Sequence, residues 1–426
     1  MMNPRYKKNS RTNVLNYRPI TYLSNLFKLF ERLVDARVKE TFKSCPEQAG
    51  FTKEKGTIDQ LIRLQEIMQY LNGKGKGPWL AFIDIKEAFE RVWHEGLFYK
   101  LWKAGIRGRI WRIIVNMYKE MLAFVRTNHG DTSKFQVKIG VLQGSALAAV
   151  LFLIFIDELA GKLRPHGVEI DGLRIANLLF ADDITIIADS QEKRAQLVRL
   201  ATNHLSNWRS KINFEKSKYV SPEDVKIENE HNIEEVRKVT SLGLDVSATE
   251  IFTLDQAKKR SAVMMASLNE ITRKLAVNIS GVSIETAQFI YDAKLAPKLE
   301  YGLELVSPDA YRATVLDGPQ IAFTQQMLSQ QNAKRPELLQ AEVGSIQTKF
   351  KAAKKIILKQ HHFQQKQDTI SQHLIKSNNL SPNGFYNKLK KSLQLLGLTQ
   401  LETSADTIDR QALKITLAEK VKEKQR

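Results

Sequence analysis

The stretch NLLFADDITIIA, from Asn177 to Ala188, places two adjacent carboxylates between two apolar arms and predicts a β-hairpin. Aspartates are common in hairpin turns, where the side chain bonds the local backbone, and an isolated pair is most simply such a turn. Here the long apolar arms would put Asp182 and Asp183 in an apolar setting. Two like charges repel there, and one takes up a proton. A divalent cation would remove this difficulty, because clustered carboxylates favour hard cations such as Mg²⁺.

A third carboxylate follows another apolar run, about a hundred residues earlier in the chain. WLAFIDI, from Trp79 to Ile85, has the pattern of a short buried strand with Asp84 near its end. If this strand and the hairpin are neighbours in one sheet, Asp84 and Asp182 can meet across it. Three carboxylates can hold two metal ions about 3.5–4 Å apart, which is the arrangement for in-line phosphoryl transfer. With the basic charge of the chain, these residues point to nucleotidyl transfer.

Composition limits the class of protein. The chain has 426 residues, of which 43% are hydrophobic, so we expect a large core and more than one domain. A net charge of +19 indicates a polyanionic partner, nucleic acid first and an acidic membrane surface second. The single cysteine, Cys45, excludes a disulfide framework and a multi-thiolate zinc site, and favours an intracellular, reducing location. The longest apolar run, Ala146 to Ile156, is shorter than the roughly 20 residues that span a bilayer, so we expect a soluble protein.

Three regions follow one another along the chain. Residues 1–245 have a mixed α/β pattern, residues 246–330 are mainly helical, and residues 331–426 are helical and rich in Gln and Lys. The third region holds 18 Lys and Arg against 8 Asp and Glu, which is about half of the net charge. Within the first region, periodicity predicts a hairpin closed through residues 129–131 and four helices, over 57–73, 86–93, about 108–121, and through Trp208 to about Asn213.

Six motifs, in this order, carry a resemblance to a known family. They are NYRPI (Asn16–Ile20), EQAGF (Glu47–Phe51), AFIDIKEAFERVWHEGL (Ala81–Leu97), GVLQGSALAAVLF (Gly140–Phe152), FADD (Phe180–Asp183) and KLAPKLEYG (Lys294–Gly302). The chain resembles the reverse transcriptase of a non-LTR (LINE-type) retrotransposon over about residues 6–305, and more weakly through LLQAEVG (Leu338–Gly344). The resemblance implies an α+β right-hand polymerase fold. Fingers and an antiparallel palm sheet would occupy residues 1–245 and a helical thumb residues 246–330, followed by a basic helical C-terminal extension.

The same resemblance implies an activity and its partners. Asp84, Asp182 and Asp183 match the catalytic carboxylates, which would hold two Mg²⁺ ions, or Mn²⁺. The implied reaction is RNA-directed DNA synthesis on an RNA template, with a DNA primer or target and deoxynucleoside triphosphates. The implied location is the nucleus or the cytoplasm.

Further positions match residues around the substrate. Phe180 stands where the family has Tyr or Phe before the paired carboxylates. Phe89 matches the bulky residue under the incoming sugar; its simpler interpretation is a core aromatic on an amphipathic helix. Gln143 and Gly144 match a turn beside the template and the incoming base, and a plain strand-to-helix turn is the alternative.

Several basic residues match positions that contact phosphates. Lys216 matches a lysine that acts on the pyrophosphate leaving group, and Arg18 could touch the template backbone or the triphosphate. Lys258, Lys259 and Arg260 could follow duplex phosphates from the thumb. For each of these side chains the simpler alternative is a solvated cation.

The sequence departs from the family pattern at a few places. Leu142 replaces a Pro or Arg, Ala148 or Ala149 replaces a second proline, Glu90 replaces an Asp, and Thr52 replaces an Arg. Because proline fixes φ, its loss should leave the main chain freer and lengthen the potential helix. None of these changes removes a metal ligand, but they alter the loop that presents the template.

Other modules of such elements have no counterpart in the sequence. An endonuclease ahead of the polymerase motifs would need a few hundred further residues, and one cysteine cannot build a Cys-rich knuckle. We therefore expect a shortened element protein, a trimmed piece, or a polymerase that relies on other factors. Two rival hypotheses remain, a nucleic-acid-binding relic or domesticated protein and a template-independent nucleotidyltransferase. The basic third region could bind RNA or form solvated linkers.

Overall fold

The computed structural model describes most of the chain, namely residues 1–7, 10–127, 129–222, 232–275, 283–328, 346–365, 368–378, 381, 383–401 and 409–425. The motif LLQAEVG lies outside the described residues. Contacts divide the chain into two compact units. The first is built from Met1–Thr57, Trp79–Tyr219 and Val225–Val236, and the second mainly from Ile58–Pro78 and Arg237–Arg426. The three-region division at residues 245 and 330 stays a prediction.

The helices of the described residues are, in chain order, α1 (Asn25–Thr41), α2 (Thr57–Gly73), α3 (His94–Lys103), α4 (Gly108–Lys119), α5 (Ala148–Ile156), α6 (Glu158–Leu163), α7 (Gln191–Asn207), α8 (Leu254–Leu275), α9 (Ile284–Ile290), α10 (Ala296–Glu300), α11 (Tyr311–Met327), α12 (Thr348–Gln365), α13 (Thr369–Ser377), α14 (Phe385–Leu396) and α15 (Arg410–Gln425). Among the described residues, none of these helices combines the length and the apolarity needed to cross a bilayer.

The strands of the described residues are short. They are β1 (Met2–Tyr6), β2 (Tyr17–Thr21), β3 (Trp79–Ile83), β4 (Leu122–Ala123), β5 (Arg126–Thr127), β6 (Gly130–Asp131), β7 (Phe135–Gln136), β8 (Val168–Ile170), β9 (Leu173–Ile175), β10 (Asn177–Phe180), β11 (Asp183–Ala188), β12 (Lys218–Val220), β13 (Glu234–Glu235), β14 (Lys238–Ser241) and β15 (Leu244–Ser247).

A five-stranded sheet organises the first unit, with strand order β10-β11-β3-β12-β13. β11 is antiparallel to both β10 and β3, which confirms the predicted hairpin and the expected α+β class. The expectation of an antiparallel sheet is wrong at one edge, because β12 and β13 are parallel.

The core of the first unit surrounds this sheet. α7 packs on β3 and β11, and α3 packs on α5. Helix α5 has the sequence AAVLFLIFI and is buried on nearly every side, which explains why it lacks a polar face. Apolar residues of β3, β11, α5 and α7 belong to one continuous cluster. This cluster fixes the strands whose ends carry the three aspartates.

Of the helices predicted within residues 1–245, two are confirmed and one is wrong. The predicted helices over 57–73 and about 108–121 correspond to α2 and α4. The segment 86–93 forms turns instead, and the next helix begins at His94. Glu87 has φ +51°, which interrupts a right-handed helical path. The carbonyls of Phe89 and Val92 accept hydrogen bonds from Val141 N and Gly140 N, so this backbone is paired with another segment.

The boundary of α7 also differs from the sequence-based expectation. The helix ends at Asn207 rather than near Asn213, and Arg209 has φ +57°. Asn213 N donates instead to Asp84 O at 2.8 Å. The predicted hairpin through residues 129–131 is confirmed, with β4 paired to β7 and β5 paired to β6.

Helix α2 belongs to the second unit because its polar side chains are paired there. Arg63 Nη2 donates to Asp368 Oδ1 at 2.6 Å, and Glu66 Oε1 accepts from Phe385 N at 2.8 Å. Burial raises the pKa of Glu66 to about 7, opposed by the nearby charge of Lys388. These partners lie about 300 residues further along the chain, so local periodicity identified the helix but not its environment.

Candidate active site

The register of the central sheet brings the three aspartates to one end of it. Ile184 of β11 pairs with Ile83 of β3. Continuing this antiparallel register by one residue places Asp183 opposite Asp84. Asp182 precedes Asp183 in the tight turn that closes β10 and β11. The sequence predicted a meeting of Asp84 and Asp182 across neighbouring strands; the strands are neighbours, and Asp183 is the residue directly opposite Asp84.

A buried glutamine holds the turn before the paired aspartates. Ala181 has φ +56°, an uncommon conformation for a residue with a side chain. Gln48 is 1% exposed, and its Oε1 accepts from Ala181 N at 2.9 Å and from Gly50 N at 2.8 Å. A Cβ on Gly50 would lie 2.1 Å from Ala181 N, so only glycine permits this approach. Gln48 belongs to the EQAGF motif, but the sequence alone gave no sign that its side chain holds this turn.

The aspartates influence one another's protonation. Burial raises the pKa of Asp182, and the charges of Asp84 and Glu90 raise it further, while a backbone hydrogen bond and the charge of Arg18 oppose the shift. Burial, with the charges of Asp182 and Asp84, raises the pKa of Asp183 to about 6. The charge of Asp84 therefore disfavours ionisation of both Asp182 and Asp183, which is the condition that a bound cation relieves.

The donor chemistry of this end of the sheet suits a hard divalent cation, since carboxylate oxygens are its preferred protein ligands. In the described part of the chain, however, no three His, Cys, Asp or Glu side chains form a ready-made set of ligands for one ion. The charges of the three aspartates influence one another, but their carboxylate groups do not converge on a single metal position. A metal would complete its shell with water and substrate oxygens, as Mg²⁺ commonly does.

The loop that contains Lys216 clamps Asp84. Asp84 N donates to Ser217 Oγ at 3.2 Å, Ser217 Oγ donates to Asn213 O at 2.8 Å, and Asn213 N returns a bond to Asp84 O. Lys216 Nζ lies 3.9 Å from Asp84 Oδ2, with both side chains reached by solvent. Such an exposed pair contributes little stability, so Lys216 is free to move toward an anionic ligand.

The turn at Gln143 and Gly144 is docked on β2, the strand of the NYRPI motif. Thr21 N donates to Gln143 O at 2.7 Å. Gly144 has φ +106°, and a Cβ there would lie 2.7 Å from Thr21 O. The side chain of Gln143 donates from Nε2 to Glu90 Oε1 at 2.8 Å. The turn is thus fixed by its backbone and by its side chain.

The helix after this turn begins where the family's second proline would stand. α5 starts at Ala148 and does not extend back to Leu142, because Gly144 is left-handed. Glu31, which is 2% exposed, accepts from Ser145 Oγ at 2.6 Å and from Ala146 N at 3.2 Å. Burial raises the pKa of Glu31, and these two hydrogen bonds oppose that shift while they anchor the segment ahead of α5 without proline. The sequence gave no sign of this contact.

The two aromatic candidates lie close to the aspartates in the chain. The Phe89 ring stacks on Phe152, with centroids 4.5 Å apart, and meets Phe51 edge-on at 6.2 Å. It is partly buried and lies in a turn rather than on the helix expected for it. Phe180 ends β10, is partly buried, and pairs with Asp183 in the ladder. Contact of Phe89 with a sugar stays a prediction.

The basic candidates fall into two groups. Arg18 is an exposed residue of β2 whose charge lowers the pKa of Asp182, so it lies within electrostatic reach of the carboxylates. Lys258 and Lys259 are exposed on α8, and Lys259 pairs with Asp255 at 3.0 Å.

Arg260 differs from its two neighbours on α8. Its guanidinium donates to Tyr301 O at 2.7 Å and to Gly243 O at 3.0 Å, and it lies 4.6 Å from the centroid of the Phe252 ring. These contacts tie α8 to the turn between β14 and β15. These contacts give Arg260 a structural role, and its expected contact with duplex phosphates stays a prediction.

Comparisons with known proteins identify a matching family and several relatives. Residues 6–246 match the family model of the reverse transcriptase (RNA-dependent DNA polymerase). The RNA-directed DNA polymerase from mobile element jockey of Drosophila melanogaster is 28% identical over 317 residues, which cover 69% of this chain and 33% of that protein. The Pol polyprotein from type-1 retrotransposable element R2 of Popillia japonica is 26% identical over 213 residues, covering 49% of this chain and 30% of that protein.

The chain therefore belongs to the reverse transcriptase family, and its resemblance to the non-LTR retrotransposon members is confirmed. Reverse transcriptases use divalent metal ions. The chain spans a third or less of the length of these curated relatives. Among solved structures, telomerase from Candida tropicalis in complex with a fragment of telomeric RNA aligns with a TM-score of 0.44 at 16% identity, covering 82% of this chain and 56% of that one.

Proposed function

We propose that this chain is an RNA-directed DNA polymerase that extends a DNA primer on an RNA template. The observation that carries the proposal is the coupling of Asp84, Asp182 and Asp183 at one end of the central sheet, in a chain of the reverse transcriptase family. The substrates are deoxynucleoside triphosphates. The site of action is intracellular, in the nucleus or the cytoplasm.

The proposed mechanism assigns each side chain a task. Asp84, Asp182 and Asp183 would hold two Mg²⁺ or Mn²⁺ ions, which when bound activate the attacking hydroxyl and stabilise the leaving oxygen. Lys216, already 3.9 Å from Asp84, neutralises charge on the departing pyrophosphate. Arg18 contributes positive charge beside Asp182, where the triphosphate or template backbone would lie.

Two further elements select and orient the substrate in this proposal. The Phe89 ring stacks on the Phe152 ring, which restrains its position. In this proposal the restrained Phe89 ring contacts the sugar of the incoming nucleotide. A 2′-hydroxyl would clash with this ring. Gln143 presents its amide beside the incoming base, held by Glu90. Phe180 closes the apolar arm that keeps the aspartate turn rigid.

We infer the family's right-hand architecture for the chain. The first unit would supply most of the fingers and the palm, and the helices from α8 onward the thumb and a basic C-terminal extension. The packing of α2 with α13 and α14 suggests that this extension also has a structural task, beside any contact with RNA.

Primer extension with Mg²⁺ or Mn²⁺, on RNA and on DNA templates of one sequence, tests the proposal. Wild-type protein should incorporate deoxynucleotides on RNA, and Asp182→Asn should reduce incorporation by at least about a hundredfold, since the site loses a charged metal ligand. Asp171→Asn is the matched control, because Asp171 lies in the β8–β9 turn with φ +46°, which Asn tolerates. Equal incorporation by wild type and Asp182→Asn would overturn the proposal, and incorporation without template would indicate a terminal transferase.

A further inference from the structure

A groove of about 550 Å³ lies on the first unit between α3, α4 and the strand β7. None of its lining residues belongs to the aspartate site. Its walls combine aromatic rings with lysines, and its described lining residues are His94, Glu95, Phe98, Tyr99, Trp102, Trp111, Val115, Tyr118, Lys119, Gln136, Val137 and Lys138.

The aromatic rings of the groove are partly accessible and held in place. Tyr99 is 55% exposed and Trp102 is 50% exposed, which is unusual for such large apolar surfaces on a single helix. Trp111 Nε1 donates to Phe98 O at 2.8 Å, so the indole orientation is fixed. The Arg107 guanidinium lies 4.3 Å from the centroid of the Trp102 ring. The Tyr99 ring stacks with Trp208 at 6.1 Å between ring centroids, so contacts restrain both exposed rings while about half of each side chain stays accessible.

The charge around these rings is positive. Lys119 and Lys138 line the groove, and the Arg107 guanidinium lies over one face of the Trp102 ring. Glu95 is the one acidic residue among the described lining residues. An occupant that complements this surface carries negative charge and offers flat apolar faces at the same time.

We propose that this groove binds unpaired bases of single-stranded nucleic acid. Bases stack on Trp102 and Tyr99, and the adjoining phosphates contact Lys119 and Lys138. Base–aromatic stacking is worth about 1–3 kcal/mol per base and tolerates any sequence. A duplex cannot use the groove in this way, because its bases are already stacked, and an acidic peptide would satisfy the lysines but leave the aromatic faces uncovered.

The groove is linked to the aspartate site by a short backbone segment. His94, on its wall, donates from Nε2 to Gly140 O at 2.8 Å. The chain then reaches Gln143, five residues beyond Lys138, a span of at most about 18 Å. An unpaired strand that leaves the turn at Gln143 can therefore reach the groove within a few nucleotides. Binding in the groove does not require catalysis, so it is separable from the proposed function.

Equilibrium binding of a fluorescent single-stranded oligonucleotide to the full chain tests the proposal. Trp102→Ala should weaken binding by about fivefold or more, in line with the loss of one stacked base. Lys119→Ala combined with Lys138→Ala should weaken binding and reduce the salt slope by about 1.4, which is about 0.7 per phosphate contact on a single strand. Lys162→Ala, an exposed lysine of α6, and Leu26→Ala, an exposed leucine of α1, are the matched controls and should leave the affinity unchanged.

Two further measurements separate the alternatives. An oligonucleotide carrying 5-iodouracil should photocrosslink to Trp102 or Tyr99, as located by peptide mass spectrometry. An oligoglutamate peptide should compete poorly, because it supplies charge without bases. Unchanged affinity in Trp102→Ala with an unaltered melting temperature, crosslinks confined to other residues, or equal competition by oligoglutamate would overturn the proposal. Primer extension by the same variants reports on the proposed polymerase activity independently.

Discussion

The side chains of Gln143 and Glu90 are joined by a hydrogen bond of 2.8 Å from Nε2 to Oε1. An ionised carboxylate can only accept, so the bond directs the amide nitrogen toward Glu90 and leaves the amide oxygen for another donor. The backbones of the same two segments are paired as well, through Val141 N to Phe89 O and Gly140 N to Val92 O. Glu90 replaces the family's Asp, and its extra methylene contributes to the reach of this bond.

Glu90→Ala should lower the efficiency of nucleotide incorporation by about tenfold, mainly through a higher KM, because Gln143 loses the partner that orients it. Glu90→Asp should resemble Glu90→Ala, since the shorter side chain does not reach Nε2. Glu90→Gln keeps an acceptor oxygen at the same place and should stay close to wild type. Steady-state kinetics on a primed RNA template measure these values. Equal kinetics for all three variants would show that the bond has no part in substrate binding.

The sequence sufficed for the elements that local pattern specifies. Apolar runs identified β3, β10 and β11, and their neighbouring positions follow from the requirement that both apolar faces be covered. The approach of the three aspartates to one another could be predicted because they stand at the ends of those runs; their catalytic role stays a prediction. The turn after Asp84 was misjudged as a helix because amphipathic spacing there reflects packing of Phe89 on Phe152, which is a tertiary contact.

The residues that hold the site in place could not be predicted from local sequence patterns. Gln48 contacts Ala181, and Glu31 contacts Ser145 and Ala146, across more than a hundred residues of chain. Neither residue type is unusual on a helix or in a loop, and periodicity carries no sign of such partners. Only the EQAGF motif of the family resemblance pointed near one of them.

Gly144→Ala should disrupt the turn that carries Gln143. The substitution would force a side chain into φ +106° and bring a Cβ to 2.7 Å from Thr21 O, so we expect a loss of about 1–3 kcal/mol in the free energy of unfolding and a loss of primer extension. Gly161→Ala on α6 is the matched control, because no atom lies within 4 Å of its added Cβ. That control should be neutral or slightly stabilising. Thermal melting and primer extension compare the two variants, and an intact Gly144→Ala protein would contradict the assigned geometry.

Gln48→Ala should destabilise the hairpin that carries the paired aspartates. Ala181 N and Gly50 N would lose their acceptor in a buried setting, at a cost of about 2 kcal/mol or more. Gln196→Ala, an exposed glutamine of α7, removes the same side chain without this loss. Hydrogen exchange of residues 177–188 should accelerate in Gln48→Ala and not in Gln196→Ala. Equal exchange in both variants would remove Gln48 from its supporting role.

Arg63→Ala should be far more damaging than its surface counterpart. Arg63 is 1% exposed and pairs with Asp368 at 2.6 Å, so its loss leaves a mostly buried carboxylate without its charged partner, at about 3–5 kcal/mol. Arg37→Ala removes an exposed pair with Glu40 at 3.2 Å, worth about 0–1 kcal/mol. Urea unfolding of the two variants gives the comparison. Similar urea midpoints for the two variants would mean that the pair between Arg63 and Asp368 contributes no more stability than the exposed pair.

Asp183→Asn should raise the melting temperature in the absence of metal. The pKa of Asp183 is raised from 3.8 to about 6, so the folded state binds its proton more tightly than the unfolded chain does. Stability linked to this group is therefore highest when it is protonated, declines as pH rises from about 4 to about 6, and stays low above that range. The advantage of Asp183→Asn should be largest near pH 8 and vanish near pH 4.

Divalent metal should give wild type the higher melting temperature and Asp183→Asn the lower one. A bound cation relieves the repulsion between the aspartates in wild type, which the substitution removes in the absence of metal. At about pH 8, Mg²⁺ or Mn²⁺ should raise the melting temperature of wild type and leave that of Asp183→Asn nearly unchanged. The increase in wild type should disappear below about pH 6, because protons then compete with the metal for the same carboxylate oxygens. Asp171→Asn should follow wild type throughout. A metal-induced rise of the same size in Asp183→Asn and in wild type would exclude Asp183 as a ligand, since the stabilising ion would then bind elsewhere.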